Sequence, residues 1–327
     1  MIAARLHNTQ DLRVDEILDP QIGESNHVKV KILAAGICGS DLHVYETGAY
    51  IIRTPMTMGH EFSGQILEIG ANIKDFKVGD YVVGDSRVYC DNCEYCLKKE
   101  YNNCKNLSFL GESCEGAFAD SIVVPGKNLV KISKDVPSHI AAIAEPLAVA
   151  LHAVDQSTID GKRILILGAG PVGALIHAVL LKRGAGNLNT TEISEYRRKV
   201  MSETRNNTVV TDYPKGKFDL VFETTGSVNV LKNVLPKVLD KGGEAILVGL
   251  FAKESLFNFT DIVEQGWKFT GSNCFDKELP MAVQMLEDDY SYFQHIVSHQ
   301  LAIKNVQAGF DILRAPEKKA MKVVLIP

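Results

Sequence analysis

Two periodicities divide the chain. In "HVKVKILAAGIC" apolar and polar positions alternate: Val28, Val30 and Ile32 point to one face and Lys29 and Lys31 to the other, the period of a strand half in water. "EFSGQILEIG" and "DYVVGD" predict further short strands, punctuated by Gly64, Gly70, Gly79 and Gly84. The middle of the chain changes character. "HIAAIAEPLAVALHAV" is Ala-rich and predicts a helix interrupted at Pro146. "RILILG" is a continuous apolar run, the mark of a parallel strand buried on both faces. "PVGALIHAVLLKRG" predicts a helix ended by Gly184. "FDLVFETTG", a helix through "VNVLKNVLPKVL" and then "GGEAILVGL" repeat the alternation, which implies a doubly wound parallel sheet. "NLNTTE" is polar for a buried strand. After about residue 270 the pattern loosens, and "KKAMKVVLIP" closes the chain as a strand.

The expectation is a two-domain α/β protein: a β-rich domain over 1–150, rejoined by 275–327, and a doubly wound parallel-sheet domain over 151–274. A length of 327 residues fits about two domains and leaves room for a full hydrophobic core. At 46% hydrophobic and 23% charged the composition is that of an ordinary globular protein. A net charge of −5 without a basic stripe argues against nucleic acid as a partner. The N-terminal stretch lacks an apolar signal core, and no apolar run approaches the ~20 residues of a membrane span, so the expected location is cytoplasmic. In that compartment thiols stay reduced, so clustered cysteines predict a metal before a disulfide.

The seven cysteines are not scattered. "CDNCEYCLKKEYNNC" places Cys90, Cys93, Cys96 and Cys104 at C-x2-C-x2-C-x7-C. The short intervals turn successive sulfurs toward one point, and the longer one lets the chain loop back to close a tetrahedron. Zinc accepts four thiolates in such a closed site, which contributes folding energy, about 10 kcal/mol or more in isolated zinc peptides, rather than catalysis. An iron–sulfur cluster also uses four cysteines, but this is not the ferredoxin spacing. Four unligated thiols in an exposed loop would oxidise readily.

A second ligand set is open. Cys38 in "GICGSDLH" and His60 in "MGHEFSG" are two candidate ligands of a catalytic zinc, and the third is Glu61 or Glu145. Each residue has a plainer reading: a small buried thiol, a structural histidine, or a helix-start charge at Glu145. The nucleotide signal is more specific. "GAGPVG" sets Gly168, Gly170 and Gly173 between a strand and a helix. Gly168 allows the tight turn, Gly170 admits the pyrophosphate, and Gly173 permits close helix–strand packing. Phosphates then sit at a helix N-terminus. Glu192, nineteen residues past Gly173, stands where an acid meets the ribose hydroxyls, which favours NAD over NADP.

"CGSDLH", "GHEFSG", the four-cysteine lobe, "AEPLA", "GAGPVG" and "KKAMKVVLIP" together resemble the zinc-containing medium-chain dehydrogenase/reductase family over essentially the whole chain. Within it the sequence is most similar to the polyol and sugar-acid branch that holds the sorbitol and L-idonate dehydrogenases. The resemblance implies a GroES-like catalytic domain, a Rossmann NAD-binding domain, two zinc ions per chain and a homo-oligomer, tetramer or dimer. The branch's zinc pattern falls on Cys38, His60, Glu61 and Glu145, its proton relay on Ser40 and His43, and Asp41 orients His60. Its coenzyme contacts include Val172, Arg197 and Val248. The implied activity is oxidation of a secondary alcohol of a polyol or L-idonate-like acid to a ketone with NAD. Sorbitol, xylitol or L-threonine are alternative substrates, and a non-catalytic zinc- and NAD-binding sensor is the alternative of another class. Two departures stand out. Cys274 in "GSNCF" occupies the branch's arginine position, and the stretch between Glu192 and Phe218 is short.

Overall fold

Alternation in the N-terminal part builds antiparallel sheet. In the computed structural model, residues 1–202, 209–210, 213–251, 254, 256–315, 317 and 319–327 are described. They form two units: Met1–Glu145 with Asp276–Pro316 and Lys322–Pro327, and Pro146–Phe275 with Glu317–Met321.

The first unit is GroES-like. Its main sheet has seven strands, with Leu129–Lys131, Tyr81–Gly84, Glu61–Ile69, His27–Gly36, Lys322–Ile326 and Val297–Ala302 in spatial order and Ser121–Pro125 also pairing with His27–Gly36. A three-stranded sheet orders Asp11–Glu16, Ile2–Asn8 and Met56–Thr57. Val28, Val30 and Ile32 are buried as their spacing requires. Lys29 departs from the outward placement its alternation predicts. It is buried, because its ammonium reaches Asp19, which also accepts a hydrogen bond from Ser121 Oγ. The C-terminal region is more regular than its sequence pattern, with helices at Leu279–Asp289 and Val306–Arg314.

The second unit is Rossmann-like. All its strand pairs are parallel, in the order Val209–Val210, Asn187–Thr191, Arg163–Leu167, Phe218–Glu223, Leu239–Leu247, Lys268–Gly271. The chain walks outward from Arg163–Leu167 in one direction and then returns to walk the other way, so the switch point lies between Arg163–Leu167 and Phe218–Glu223. The polar strand Asn187–Thr191 is tolerated because its first residues reach solvent and its buried hydroxyls are paired: Thr190 Oγ1 lies 2.8 Å from His177 Nδ1, and Thr191 Oγ1 donates to Ile166 O.

Two predicted helices differ in detail. The Ala-rich helix breaks before Ala144 rather than at Pro146, leaving Ser138–Ala141 and Ala144–Asp155. Pro146 falls in the first turn of the latter, where a missing N–H costs nothing. The segment "VNVLKNVLPKVL" widens to a π-helical turn at Val230–Val234 before Leu235–Val238, since Pro236 cannot donate back into the preceding turn. Part of the short stretch between Glu192 and Phe218 lies outside the described residues; within it Glu195–Ser202 is helical. Among the described residues no helix is long and apolar enough to cross a membrane.

Candidate metal centres and coenzyme site

The four-cysteine loop converges. The sulfurs of Cys90, Cys93, Cys96 and Cys104 all lie within 4.8 Å of one another. Cys104 Sγ is 3.5 Å from Cys90 Sγ, and Cys90 Sγ is 4.0 Å from Cys96 Sγ. Thiolates on a tetrahedral zinc at about 2.3 Å stand about 3.8 Å apart, so the donor set fits that ion. Backbone N–H groups of Cys96 and Lys105 aim at Cys93 and bring its pKa down to about 6. Burial pushes Cys96 up to about 12. Hydrogen bonds from the Asn92 and Cys93 backbone also lower Cys90, so the loop favours thiolate at Cys90 and Cys93, whereas Cys96 needs a cation to ionise it.

The open set also assembles. Cys38 precedes the helix Gly39–Thr47, whereas His60 and Glu61 sit at the start of Glu61–Ile69. One donor atom from each of Cys38, His60 and Glu61 falls within 4.8 Å of the others. Sulfur, imidazole and carboxylate are a donor set that suits zinc. Asp41 is buried beside them. Its Oδ2 accepts from the Cys38 N–H at 2.8 Å, and its Oδ1 lies 3.5 Å from His60 Nδ1. Burial disfavours charge on His60, but Asp41 and Cys38 overcome it and hold the pKa well above the ordinary imidazole value. With Asp41 facing Nδ1, Nε2 is the nitrogen left for a metal.

Glu145 is not brought into that triad. It is buried in the first turn of Ala144–Asp155, and its Oε1 accepts from Ser86 Oγ at 2.7 Å. Burial, reinforced by Glu61, raises its pKa to about 7. Ser40 and His43 are half-buried, three residues apart on one face of Gly39–Thr47, and the His43 ring lies 5.9 Å from the ring of Tyr50.

Three residues of this unit escaped the sequence reading. Lys322 Nζ donates to both oxygens of Glu61, at 2.7 and 2.8 Å, and to Ile37 O at 3.2 Å. Lys322 is 2% exposed and Glu61 0%. Burial opposes the lysine's charge, yet Glu61 and Cys38 keep its pKa above the ordinary value. The signal was available, since a lysine opening the apolar run "KVVLI" needs an acid partner if the strand is buried. Ser86, the donor to Glu145, had no such signal. Neither had Glu112, whose half-buried carboxylate senses the charges of His60 and Asp41 and has its pKa raised by burial. Among the described residues nothing hydrogen-bonds to that carboxylate.

In the second unit the glycine loop has the geometry its spacing requires. Gly168 has φ +95, and a Cβ on Gly173 would stand 2.1 Å from Gly168 O. Gly170 faces open space apart from Arg197 Nη1, 3.5 Å from where its Cβ would lie. The helix Pro171–Lys182 begins immediately beyond, so the cradle fits a pyrophosphate. Val172, in the first turn of Pro171–Lys182, and Val248, just past Leu239–Leu247, are half-buried. Glu192 is turned further inward than an acid simply facing ribose. Its Oε2 accepts from Ala169 N at 2.9 Å and its Oε1 from Ser194 N at 2.8 Å, because the loop's own N–H groups lie nearest. Arg197 Nη1 stands 4.0 Å from Glu192 Oε2, and its Nε donates to Ala320 O. Cys274 adopts φ +43 next to fully buried Phe275.

Residues 24–134 match the Alcohol dehydrogenase GroES-like domain. An L-threonine 3-dehydrogenase of Thermococcus kodakarensis is 31% identical over 319 residues, covering 92% of this chain and 90% of that protein. The chain belongs to the zinc-dependent medium-chain dehydrogenase family. Its members among solved structures include L-idonate 5-dehydrogenase of Escherichia coli, at TM-score 0.90 and 25% identity over 100% of this chain and 98% of that one. A candidate zinc-binding dehydrogenase of Sinorhizobium meliloti bound to NADP aligns at TM-score 0.91 and 26% identity over 100% and 99% of the two chains. The chain is accordingly an alcohol dehydrogenase of this family.

The ion pair under the open site yields a test. Lys322→Met strands the Glu61 carboxylate in the interior and should cost about 3–5 kcal/mol in metal-free protein. Adding Glu61→Gln should recover most of it. Denaturant unfolding of both variants measures this, and a loss of under about 1 kcal/mol would assign the pair the weight of a surface contact.

Proposed function

We propose that this chain is an NAD-dependent zinc dehydrogenase that oxidises a secondary alcohol next to a second polar group, as in a polyol or an L-idonate-like sugar acid, to the ketone. The observation that carries the reading is that one donor from each of Cys38, His60 and Glu61 converges, with Asp41 against His60 and Glu145 close enough to feel the charges of His60 and Glu61, while the four cysteines form a separate closed set. When bound, zinc supplies a Lewis acid that lowers the pKa of the substrate hydroxyl at the open set and folding energy at the closed one, and the nicotinamide supplies the hydride acceptor.

The chain's own residues do the rest. Asp41 faces His60 Nδ1 and so leaves Nε2 for the metal. Lys322 offsets the charge of Glu61. Ser40 and His43, on one helix face, give the substrate proton a route outward. Glu145, with a pKa of about 7, can hold or release a proton near neutrality, through the carboxylate that Ser86 orients. The glycine loop and the N-terminus of Pro171–Lys182 hold the pyrophosphate, with Val172, Arg197 and Val248 alongside. Glu192 places a negative charge at that loop and disfavours a 2′-phosphate. A cytoplasmic homo-oligomer, dimer or tetramer, goes with this reading.

A second reading is an L-threonine-type dehydrogenase. The threonine-dehydrogenase relative supports it, and so does Glu112, whose unpartnered carboxylate beside the open set suits a substrate ammonium. A panel of polyols, aldonates and L-threonine with NAD, followed by absorbance of the reduced coenzyme, separates the two. Polyols or aldonates should turn over with the highest kcat/KM. L-threonine ahead of them, with a Glu112→Gln variant losing that preference, would replace the first reading by the second.

Two further outcomes are expected. Elemental analysis should find about two zinc ions per chain, the sum of one closed and one open site. Cys93→Ser should lose stability more than turnover per folded molecule, and Cys38→Ser turnover more than stability; protein holding one zinc or none overturns the assignment. For the coenzyme, NAD should give the higher kcat/KM, and Glu192→Ala should weaken NAD and narrow the gap to NADP. A wild-type preference for NADP would instead give Arg197 or Arg198 the 2′-phosphate.

A further inference from the structure

We propose that Glu223 is a positioning residue of the coenzyme site, one that ties the loop at 224–226, which lies against the glycine loop at the switch point, to the loop after the next strand, without itself touching coenzyme. This rests on the coenzyme reading given above. Leu167 and Glu223 are register partners at the carboxyl ends of the two strands that flank the switch, where doubly wound sheets bind their ligands.

The residues after Glu223 lie directly on the glycine loop. Thr224 Oγ1 donates to Leu167 O at 2.9 Å and to Gly168 O at 3.0 Å, and a Cβ on Gly168 would meet Thr225 Cγ2 at 2.8 Å. Whatever sets the path of 224–226 therefore sets one wall of the phosphate cradle. Glu223 sets it. Its Oε1 accepts from Thr225 N at 2.9 Å and from Thr225 Oγ1, and its Oε2 accepts from Gly226 N at 3.2 Å.

The same residue holds the loop after the next strand. Glu223 O accepts from Val248 N at 2.9 Å and from Gly249 N at 3.0 Å. The fit leaves no room for side chains at the seam. A Cβ on Gly249 would lie 2.7 Å from Glu223 Oε2 and 2.2 Å from Gly226 N, and one on Gly226 would lie 2.2 Å from Leu250 O. Val248, a candidate coenzyme contact, thus hangs from the residue that fixes Thr224 against Gly168.

The chemistry explains the choice of an acid. Glu223 is 0% exposed, and among the described residues no cation pairs with it. Burying a lone carboxylate is costly unless every partner donates, and here all do. A glutamine of the same shape would turn an NH₂ toward N–H or O–H donors at one end and break the seam.

The test compares wild type with Glu223→Gln and Thr225→Val, the latter removing one hydroxyl donor only. NADH binding is followed by fluorescence titration, the unfolding midpoint by calorimetry, and KM for NAD and kcat by steady-state assay. Displacing a cradle wall by about 1 Å can cost up to about a hundredfold. Glu223→Gln is expected to raise the NADH Kd and the NAD KM by about tenfold or more, with kcat at saturating coenzyme changed by less than about threefold. Thr225→Val should shift both in the same direction by a smaller factor. Unchanged NADH affinity per folded molecule alongside a lowered unfolding midpoint overturns the proposal and leaves Glu223 a stability residue. If Glu223→Gln does not fold, Thr225→Val decides, and an unchanged Kd there overturns it equally. Wild type that binds neither NADH nor NADPH overturns the coenzyme reading, and this proposal with it, whereas wild-type binding with unshifted variants overturns this proposal alone.

Discussion

The ion pair of Lys322 with Glu61 is the constraint around which the first unit is arranged. Two charges this deep are tolerated only as a pair with further hydrogen bonds, and Lys322 adds one to Ile37 O, just ahead of Cys38. The pair spans the strand His27–Gly36, which lies between Lys322–Ile326 and Glu61–Ile69 in the sheet. It therefore stitches the C-terminal strand to the strand that begins with the metal donors. It also divides the duty of Glu61. Both carboxylate oxygens serve the lysine, so any bond from Glu61 to a cation competes with two charge-assisted hydrogen bonds.

The two donor sets solve different problems with the same chemistry. The cysteine lobe closes on itself and is fixed mainly by its own backbone: Cys90 N and Asn106 N both donate to Cys104 Sγ. Two contacts from outside steady its edges: Tyr101 N donates to Asp276 Oδ1 at 3.0 Å, and Lys127 pairs with Asp91. The open set is shaped from outside. Asp41 aims His60, Lys322 holds Glu61 and, beside the triad, Ser86 holds Glu145, so these three side chains owe their direction to residues distant in sequence. That division is the one the proposed function calls for, a closed set that stabilises and an open one that binds and releases substrate.

What the sequence revealed follows from the same distinction. Local features were legible because spacing alone dictates them: the cysteine intervals, the glycine triplet between strand and helix, and the buried runs that built the parallel sheet. Features that depend on long-range partners were not. Lys29 looks solvent-facing in its own strand, and only Asp19 explains its burial. Glu192 was found by its distance from the glycines, but the N–H groups that occupy its oxygens depend on how the loop folds back on it. Pro146 looked like a break because a sequence does not say which residue starts a helix; in the first turn the same proline is harmless.

The charge balance at the open set gives the arrangement its chemical direction. Asp41, Glu61 and Glu145 are all buried there, whereas Lys322 and His60 are the cations beside them. Burial and the neighbouring acid drive Glu145 up to about 7, so without another cation the cluster sheds part of its negative charge by taking up a proton. A divalent cation would remove that need, drawing the carboxylates and the Cys38 thiol toward their ionised forms. The site is thus built with a surplus of acid that a metal ion, rather than a further lysine, is suited to balance. In the proposed reaction Glu145, held by Ser86 and outside the donor triad, is the carboxylate that would exchange a proton with the substrate.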